Sequence, residues 1–240
     1  IRVENSRGAQ VYETETVIIA AGTKPAVSEK VPPNGRSIIS SDQVLDIPCI
    51  PKTLIVVGGG VIGVEYTCMF AILGVRVILV EKRPRLLEFA DSEMVEALSY
   101  HLRDNRVTMR LNEEVSSVAE QPDGSVVATL ESNKKIVGDV LLYAVGRQGN
   151  VDDLNLPAAG LSADNRGRIK VDPDYRTALP HIWAVGDVIG FPSLASVSME
   201  QGRIAAAHAF NLPVASNPAT YPYGIYTIPE ISFIGKTEEQ

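Results

Sequence analysis

Three glycines at a set spacing, followed later by an acidic residue, are the residues of this sequence best suited to hold a phosphate-bearing ligand. The pattern Gly58-x-Gly60-x-x-Gly63 precedes Glu81. In such a turn the first glycine permits a tight bend, the second lets the backbone approach a pyrophosphate, and the third lets a helix pack close to a strand. Amide groups at the helix start then face the phosphates, and Glu81 would accept hydrogen bonds from a ribose hydroxyl. The predicted dinucleotide turn comprises Gly58, Gly60, Val61, Ile62 and Gly63. The alternative is a glycine-rich turn that binds no ligand.

The two residues after Glu81 leave the choice of nucleotide open. A carboxylate at this position disfavours the 2′-phosphate of NADP, whereas the adjacent cations Lys82 and Arg83 could bind that phosphate. The alternative for both cations is a solvated basic patch. The sequence therefore predicts an NAD(P) site and does not rank NAD against NADP.

The elements that would position this turn alternate between strand and helix. An apolar run at 53–57 predicts a buried strand, 61–73 predicts a helix, and 76–80 predicts a second strand that leads into Glu81. Further along we predict a helix over 91–104, strands over 107–111 and 140–145, and an antiparallel meander over 115–118, 125–130 and 135–137. The expected fold class is α/β, with a Rossmann-like three-layer NAD(P)-binding domain built on a central parallel sheet and an antiparallel meander.

The flanking regions give weaker signals. Residues 1–22 indicate β structure that ends in an apolar strand at 17–21, buried on both faces, and 24–51 is a connector rich in Pro, Ser and Asp. Beyond the α/β region we predict short strands at 168–171 and 181–185, a helix over 198–210 and a linker over 211–223.

Composition excludes several classes of function. Lys and Arg number 22 against 29 Asp and Glu, and this net charge of −7 argues against a nucleic-acid or acidic-membrane surface. No apolar run approaches the roughly 18 residues of a membrane span. The two cysteines, Cys49 and Cys68, lack metal-ligand or disulfide-framework spacing. We expect a reduced cytoplasmic protein, and the absence of an initial Met predicts a fragment of a longer chain.

Five segments in order resemble the pyridine nucleotide–disulfide oxidoreductase family of flavoproteins, and the resemblance covers essentially the whole chain. They are 17–25 (VIIAAGTKP), 58–65 (GGGVIGVE), 144–150 (AVGRQGN), 182–187 (IWAVGD) and 225–230 (IYTIPE). The resemblance implies two cofactors, NAD(P) and FAD.

The resemblance also implies residue roles. Residues expected to lie beside FAD are Ala21, Gly22, Thr23, Gly186, Asp187, Ser193, Leu194, Ala195 and Ser196. Residues added to the nicotinamide-nucleotide site are Glu65, Val115 and Gly146. Taken singly, Glu65 could be an ordinary helix-face carboxylate and Asp187 a turn or capping residue.

The implied domain organisation is a nucleotide domain inserted in an incomplete FAD-binding domain of the same type. We expect an FAD-domain segment and connector at 1–50, the NAD(P)-binding domain at 51–147, a second FAD-domain segment at 148–214, and a linker with the start of a C-terminal dimerisation domain at 215–240. The family's FAD glycine turn would lie before residue 1. The resemblance further implies a homodimer formed through the missing C-terminal domain.

The expected activity of the parent protein is FAD-dependent transfer of hydride between NADPH and NAD. Details at 190–196, 199–203 and 224–232 favour this over the family's disulfide-reducing members, which are the alternative. Neither Cys49 nor Cys68 can substitute for the family's redox pair. No side-chain acid or base is needed for hydride transfer, so no catalytic residue is predicted. A second hypothesis is that this chain in isolation is a non-catalytic NAD(H)-binding module.

Overall fold

The structure is a computed structural model that describes residues 1–190, 192–214 and 220–240. Phe191, part of the family-like segment at 190–196, lies outside the described residues, as do positions 215–219 of the predicted linker. The strands are β1 (Arg2–Asn5), β2 (Gly8–Val11), β3 (Val17–Ile19), β4 (Thr23–Pro25), β5 (Ile38–Ser40), β6 (Thr53–Val57), β7 (Arg76–Glu81), β8 (Thr108–Leu111), β9 (Val115–Glu120), β10 (Val126–Leu130), β11 (Lys135–Gly138), β12 (Val140–Tyr143), β13 (Arg147–Gly149), β14 (Ile182–Ala184), β15 (Pro222–Ile225) and β16 (Ile231–Ile234). The α-helices are α1 (Val61–Ile72), α2 (Ser92–Asp104) and α3 (Ala195–Ala209).

The chain divides into two compact units. The first unit comprises Ile1–Lys24 and Arg147–Ala219, and the second comprises Pro25–Gly146 and Thr220–Gln240. In the second unit, five strands form a sheet in the order β5-β12-β6-β7-β8, and every neighbouring pair is parallel. β9, β10 and β11 form a separate antiparallel meander. The predicted α/β fold, with a central parallel sheet and an antiparallel meander, is confirmed.

The parallel sheet of the second unit is covered on both faces. Successive side chains of a strand point to opposite faces. Leu54 and Val56 of β6 accordingly join one buried cluster with Val64 of α1, whereas Ile55 joins another with Ala128 of the meander. Burial on both faces explains why the strands read as unbroken apolar runs in the sequence.

The helices of the second unit begin and end where local chemistry stops them. The side chain of Asp91 caps α2 by accepting a hydrogen bond from the N–H of Glu93 at 3.0 Å. His101 and Arg103 lie in its last turn, where cations interact favourably with the helix dipole. The chain leaves α1 through Gly74, whose positive φ of 85° suits glycine.

Three sequence predictions about elements were wrong. The connector at 24–51 contains β5, where Ile38 and Ile39 are buried and pair with Leu141 and Leu142 of β12. Three strand residues surrounded by Pro and Ser gave too short a pattern to detect. No strand forms at 168–171, where Ile169 makes only an isolated bridge. α3 begins at Ala195 rather than at 198. The prediction missed its first turn, because small polar residues there masked the helical pattern.

The first unit is built around a parallel pair of strands, β3 and β14, with Ala184 opposite Ile19. Ile182 and Ala184 of β14 belong to a buried cluster with Leu156, Leu161 and Ile169, and Val17 and Ile19 of β3 pack against it. Ile18 is 38% exposed, whereas Val17 and Ile19 are partly buried, so the prediction that β3 is buried on both faces was wrong.

Among residues 1–190, 192–214 and 220–240, none of the helices combines the length and the apolar character that a membrane span needs. Within the same ranges, no group of three or more His, Cys, Asp or Glu side chains could hold a metal ion.

Candidate functional site

The predicted glycine turn joins the carboxyl end of β6 to the first turn of α1. Gly58 has a φ of +116°, which favours glycine, and a Cβ added there would lie 2.4 Å from the carbonyl oxygen of Ala144. A Cβ on Gly63 would lie 1.9 Å from the carbonyl oxygen of Gly58. Both glycines are therefore required by backbone packing, as the spacing predicts.

Gly60 differs from its neighbours, because no described residue stands where its side chain would lie. Its φ of −81° is open to any residue. An added Cβ meets no atom of the described residues within 4 Å. Gly60 precedes the first helical residue, Val61, and in the described residues no side chain caps this helix start and no acidic residue lies in its first turn. The turn thus leaves open space in front of first-turn amide groups that no side chain of the described residues caps.

Gly59 was absent from the predicted site, yet it connects the turn to the acidic residue. Its N–H donates to Oε2 of Glu81 at 2.5 Å. A Cβ on Gly59 would lie 2.7 Å from Leu86 and 2.9 Å from Glu81. Three consecutive glycines were the available signal, because the middle one, Gly59, has no place in the Gly-x-Gly-x-x-Gly spacing.

Glu81 ends β7 beside the turn, and its carboxylate is only 4% exposed. Oε1 accepts hydrogen bonds from the backbone N–H of Arg83 at 2.9 Å and from its Nε at 2.8 Å. Oε2 accepts from Nη2 of Arg83 at 3.0 Å, in addition to the Gly59 N–H. Lys82 is exposed and forms no ion pair within the described ranges. The structure thus brings Glu81 and Arg83 together and leaves Lys82 facing solvent.

Burial raises the pKa of Glu81, but hydrogen bonds from Arg83 and Gly59 outweigh it and bring that pKa below its ordinary value of 4.5. A carboxyl whose folded pKa is lowered stabilises the fold above its unfolded pKa, and this contribution is lost as the pH falls through the folded value.

We expect Glu81→Gln to be less stable than the unsubstituted chain by roughly 1–2 kcal/mol at pH 7. The difference should shrink below about pH 4.5. Urea unfolding at pH 7 and pH 4 measures it. Glu96→Gln is the control, and an equal loss at both pH values would contradict the role given to the ionised carboxylate.

The remaining nicotinamide-site predictions fall in different surroundings. Oε1 of Glu65 on α1 accepts a hydrogen bond from the N–H of Tyr226 at 2.8 Å. Val115 begins β9 and is 4% exposed within the meander core, so its side chain packs in that core. Gly146 follows β12 with a φ of +133° and open space at its Cβ position.

In the first unit, predicted residues gather at the carboxyl ends of β3 and β14. A cavity of about 230 Å³ opens there, lined by Ala20, Gly22, Val185, Gly186, Asp187 and Ser198. Gly22 and Gly186 have positive φ values of 66° and 76°. Ligands of open α/β sheets bind at the carboxyl ends of parallel strands, so this cavity is where a nucleotide would be expected.

A polar network surrounds this cavity. Oδ2 of Asp187 lies 3.4 Å from Oγ1 of Thr23, which accepts a hydrogen bond from Nε of Arg147 at 2.8 Å. The N–H of Gly186 donates to Oε1 of Gln201 at 2.7 Å, and Gln201 is 3% exposed. Sequence reasoning missed Arg147 and Gln201 as site residues. The available signal for Gln201 was a lone amide within a helix of small residues.

The predicted FAD residues are only partly brought together. Gly22, Gly186 and Asp187 line the cavity, whereas Ser198 lines it without having been predicted. Thr23 joins through its contact with Asp187, and Ala21 directly precedes Gly22. The predicted residues Ser193, Leu194, Ala195 and Ser196 form the approach to α3 and its first turn, outside the cavity lining.

Comparison with known proteins defines the class of the chain. Residues 1–202 match the family model described as pyridine nucleotide-disulphide oxidoreductase. The chain therefore belongs to this family. Within it, the chain is a homologue of soluble pyridine nucleotide transhydrogenases. It is 50% identical over 222 residues to one from Mycobacterium bovis (strain BCG / Pasteur 1173P2), covering 92% of this chain and 47% of that protein. It is 45% identical to one from Vibrio vulnificus (strain YJ016), covering 99% of this chain and 51% of that protein. The chain spans about half the length of these curated relatives.

Solved structures agree with the fold. LpdA from Mycobacterium tuberculosis superposes with a TM-score of 0.93 at 29% identity, covering 99% of this chain and 52% of that chain. The HOCl-induced flavoprotein disulfide reductase RclA from Escherichia coli gives 0.89 at 29% identity, covering 100% of this chain and 55% of that chain.

Proposed function

We propose that the second unit binds a nicotinamide nucleotide at the glycine turn, with the pyrophosphate in front of Gly60 and the adenosine ribose toward Glu81 and Arg83. The observation that carries this is the open space at Gly60, because Gly58 and Gly63 have packing reasons for lacking a side chain and Gly60 has none among the described residues. The uncapped amide groups at the start of α1 would donate to the phosphates. Glu65, Val115 and Gly146 remain proposed members of this site.

The first unit is proposed to supply part of an FAD site. We assign part of a flavin nucleotide to the cavity at β3 and β14, because no described atom lies within 4 Å of a Cβ position at Gly22 and the carboxylate of Asp187 can accept hydrogen bonds from hydroxyl groups. Arg147 would keep Thr23 in place beside Asp187. Ser193, Leu194, Ala195 and Ser196 remain proposed FAD neighbours in the parent protein. When bound, FAD supplies the hydride acceptor and donor that links two nicotinamide nucleotides.

For the parent protein we propose hydride transfer between NADPH and NAD, in the manner that the relatives' name, soluble pyridine nucleotide transhydrogenase, describes. The chain's residues bind and orient the nucleotides, and none is assigned a proton-transfer step. The division into FAD segments at 1–50 and 148–214, a nucleotide domain at 51–147 and a dimerisation segment from 215 belongs to this proposal, as does homodimerisation. This division differs from the structure in one respect, because residues 25–50 and 220–240 pack with the nucleotide domain in the second unit.

A second candidate function for the parent protein is disulfide reduction of the dihydrolipoamide dehydrogenase type, and the observation in its favour is the likeness of the fold to a disulfide reductase. For the 240-residue chain in isolation, the alternative is a module that binds NAD(H) without catalysis.

One assay of the parent protein separates these activities. We expect the full-length parent to transfer hydride from NADPH to thio-NAD⁺, followed by the absorbance of reduced thio-NAD⁺, without any dithiol present. One control omits the enzyme. A second control supplies dihydrolipoamide in place of NADPH as the reductant, with NAD⁺ as the acceptor. Turnover that depends strictly on the dithiol would replace the transhydrogenase proposal with the disulfide-reductase one.

A further inference from the structure

The side chain of Arg83 is held between two carboxylates. Nε and Nη2 bind the two oxygens of Glu81 at 2.8 and 3.0 Å, and Nη1 lies 3.2 Å from Oε2 of Glu88. Glu81 is 4% exposed, Arg83 is 36% exposed and Glu88 is 60% exposed. The three side chains form a row that runs from the buried end of β7 to the surface.

Glu81 has little capacity left for a ligand in this arrangement. A carboxylate offers about four acceptor positions. Those of Glu81 are taken by the N–H groups of Gly59 and Arg83 and by two nitrogens of the guanidinium. Arg83 also compensates the negative charge that makes such a carboxylate unfavourable to a 2′-phosphate. A ribose 2′ position bound at this site would therefore face the guanidinium of Arg83 as well as the carboxylate of Glu81.

Glu88 opposes a 2′-phosphate in two ways. Its carboxylate occupies Nη1, the guanidinium nitrogen that Glu81 does not bind. Its negative charge also offsets part of the positive charge with which Arg83 would attract a phosphate. A 2′-hydroxyl carries no charge and meets neither obstacle.

We propose that Glu88, acting through Arg83, determines how far this site discriminates a 2′-phosphate from a 2′-hydroxyl, an inference that rests on the proposed nucleotide site at the glycine turn. Glu88 is a positioning residue, because it acts by holding Arg83. Without it, Nη1 is released to bind a phosphate oxygen while the other two guanidinium contacts keep Glu81 neutralised.

The test compares Glu88→Gln with Glu96→Gln, which removes the same charge from α2, where Glu96 is exposed and forms no ion pair among the described residues. Calorimetric titration of the 240-residue chain would use NAD⁺ and NADP⁺, and also 5′-AMP and 2′,5′-ADP, which differ only by the 2′-phosphate. We expect Glu88→Gln to tighten binding of NADP⁺ and 2′,5′-ADP by about fivefold. Binding of NAD⁺ and 5′-AMP should change less than about twofold, and Glu96→Gln should change neither pair.

A double-mutant cycle shows whether Glu88 acts through Arg83. In the Arg83→Gln background, the gain from Glu88→Gln should fall to less than about twofold. A gain that persists there, or an equal gain in Glu96→Gln, would overturn the proposal and indicate general charge repulsion. Equal tightening of NAD⁺ and NADP⁺ would overturn it too. If the unsubstituted 240-residue chain binds neither NAD⁺ nor NADP⁺, the proposed function fails, and this inference fails with it.

Discussion

Replacing Gly63 by alanine is expected to lower the free energy of unfolding of the second unit by about 2–3 kcal/mol. The new Cβ would lie 1.9 Å from the carbonyl oxygen of Gly58. Gly58 cannot retreat freely, because its own Cβ position lies 2.4 Å from the carbonyl oxygen of Ala144. The backbone of the turn must therefore shift, and this cost exceeds the gain of about 1 kcal/mol that alanine brings to a helix over glycine. Urea unfolding followed by far-ultraviolet circular dichroism measures the loss.

The matched control for this substitution is Gly60→Ala in the same turn. Its Cβ would occupy open space at an ordinary φ of −81°. The unfolding free energy of this variant should stay within about 0.5 kcal/mol of the parent value. Unchanged stability of Gly63→Ala would contradict the close helix–strand approach described here.

The second large effect concerns ligand binding. Here Gly60→Ala, the control for stability, is the variant expected to show the effect. We expect Gly60→Ala to weaken the binding of NADH by at least about tenfold while leaving the fold intact. The added methyl group would fill the space in which a pyrophosphate approaches the backbone and would push it away from the amide groups at the start of α1. Titration of the chain with NADH, followed by nicotinamide fluorescence, measures the affinity.

A control for the binding experiment is Gly202→Ala, on α3 in the first unit. Its Cβ also meets nothing within 4 Å among the described residues, and its N–H and carbonyl lie within a helix. Its NADH affinity should equal that of the parent chain. If Gly60→Ala binds NADH as tightly as the parent, the ligand does not approach the turn at Gly60.

Most of the second unit could be predicted because its strands and helices are each long and regularly patterned. The strand, turn and helix from Thr53 to Ile72 follow the expected order closely. β5 could not be predicted, since three residues carry too little periodicity and its stability comes from pairing with β12, more than a hundred positions away. Ile18 was expected to be buried but is exposed. An apolar run predicts a strand, but it does not show whether one face or both faces of that strand will be covered.

The site was predictable in its residue types and less so in its contacts. The structure has Gly58 at the tight bend, with a φ of +116°, and Gly63 at the close approach of helix and strand, which are the positions that the glycine spacing assigns to them. The pairing of Glu81 with Arg83 could not be read from the sequence, where the two residues argued for different nucleotides. Side-chain geometry unites them, because a residue two positions beyond the end of β7 can fold its guanidinium back onto the buried carboxylate. Arg147 was missed, since its partner Thr23 lies 124 positions away, and Gln201 was missed, since its partner Gly186 lies in a different element.

The most direct test of the central claim is amide hydrogen exchange of the 240-residue chain with and without saturating NAD⁺. Slower exchange is expected in the peptide that contains Gly58 to Gly63 and in the one that contains Glu81 to Arg83, with the meander from Val115 to Gly138 changed less. Protection confined to other segments, or no change at any NAD⁺ concentration up to millimolar, would contradict a nicotinamide-nucleotide site at the glycine turn.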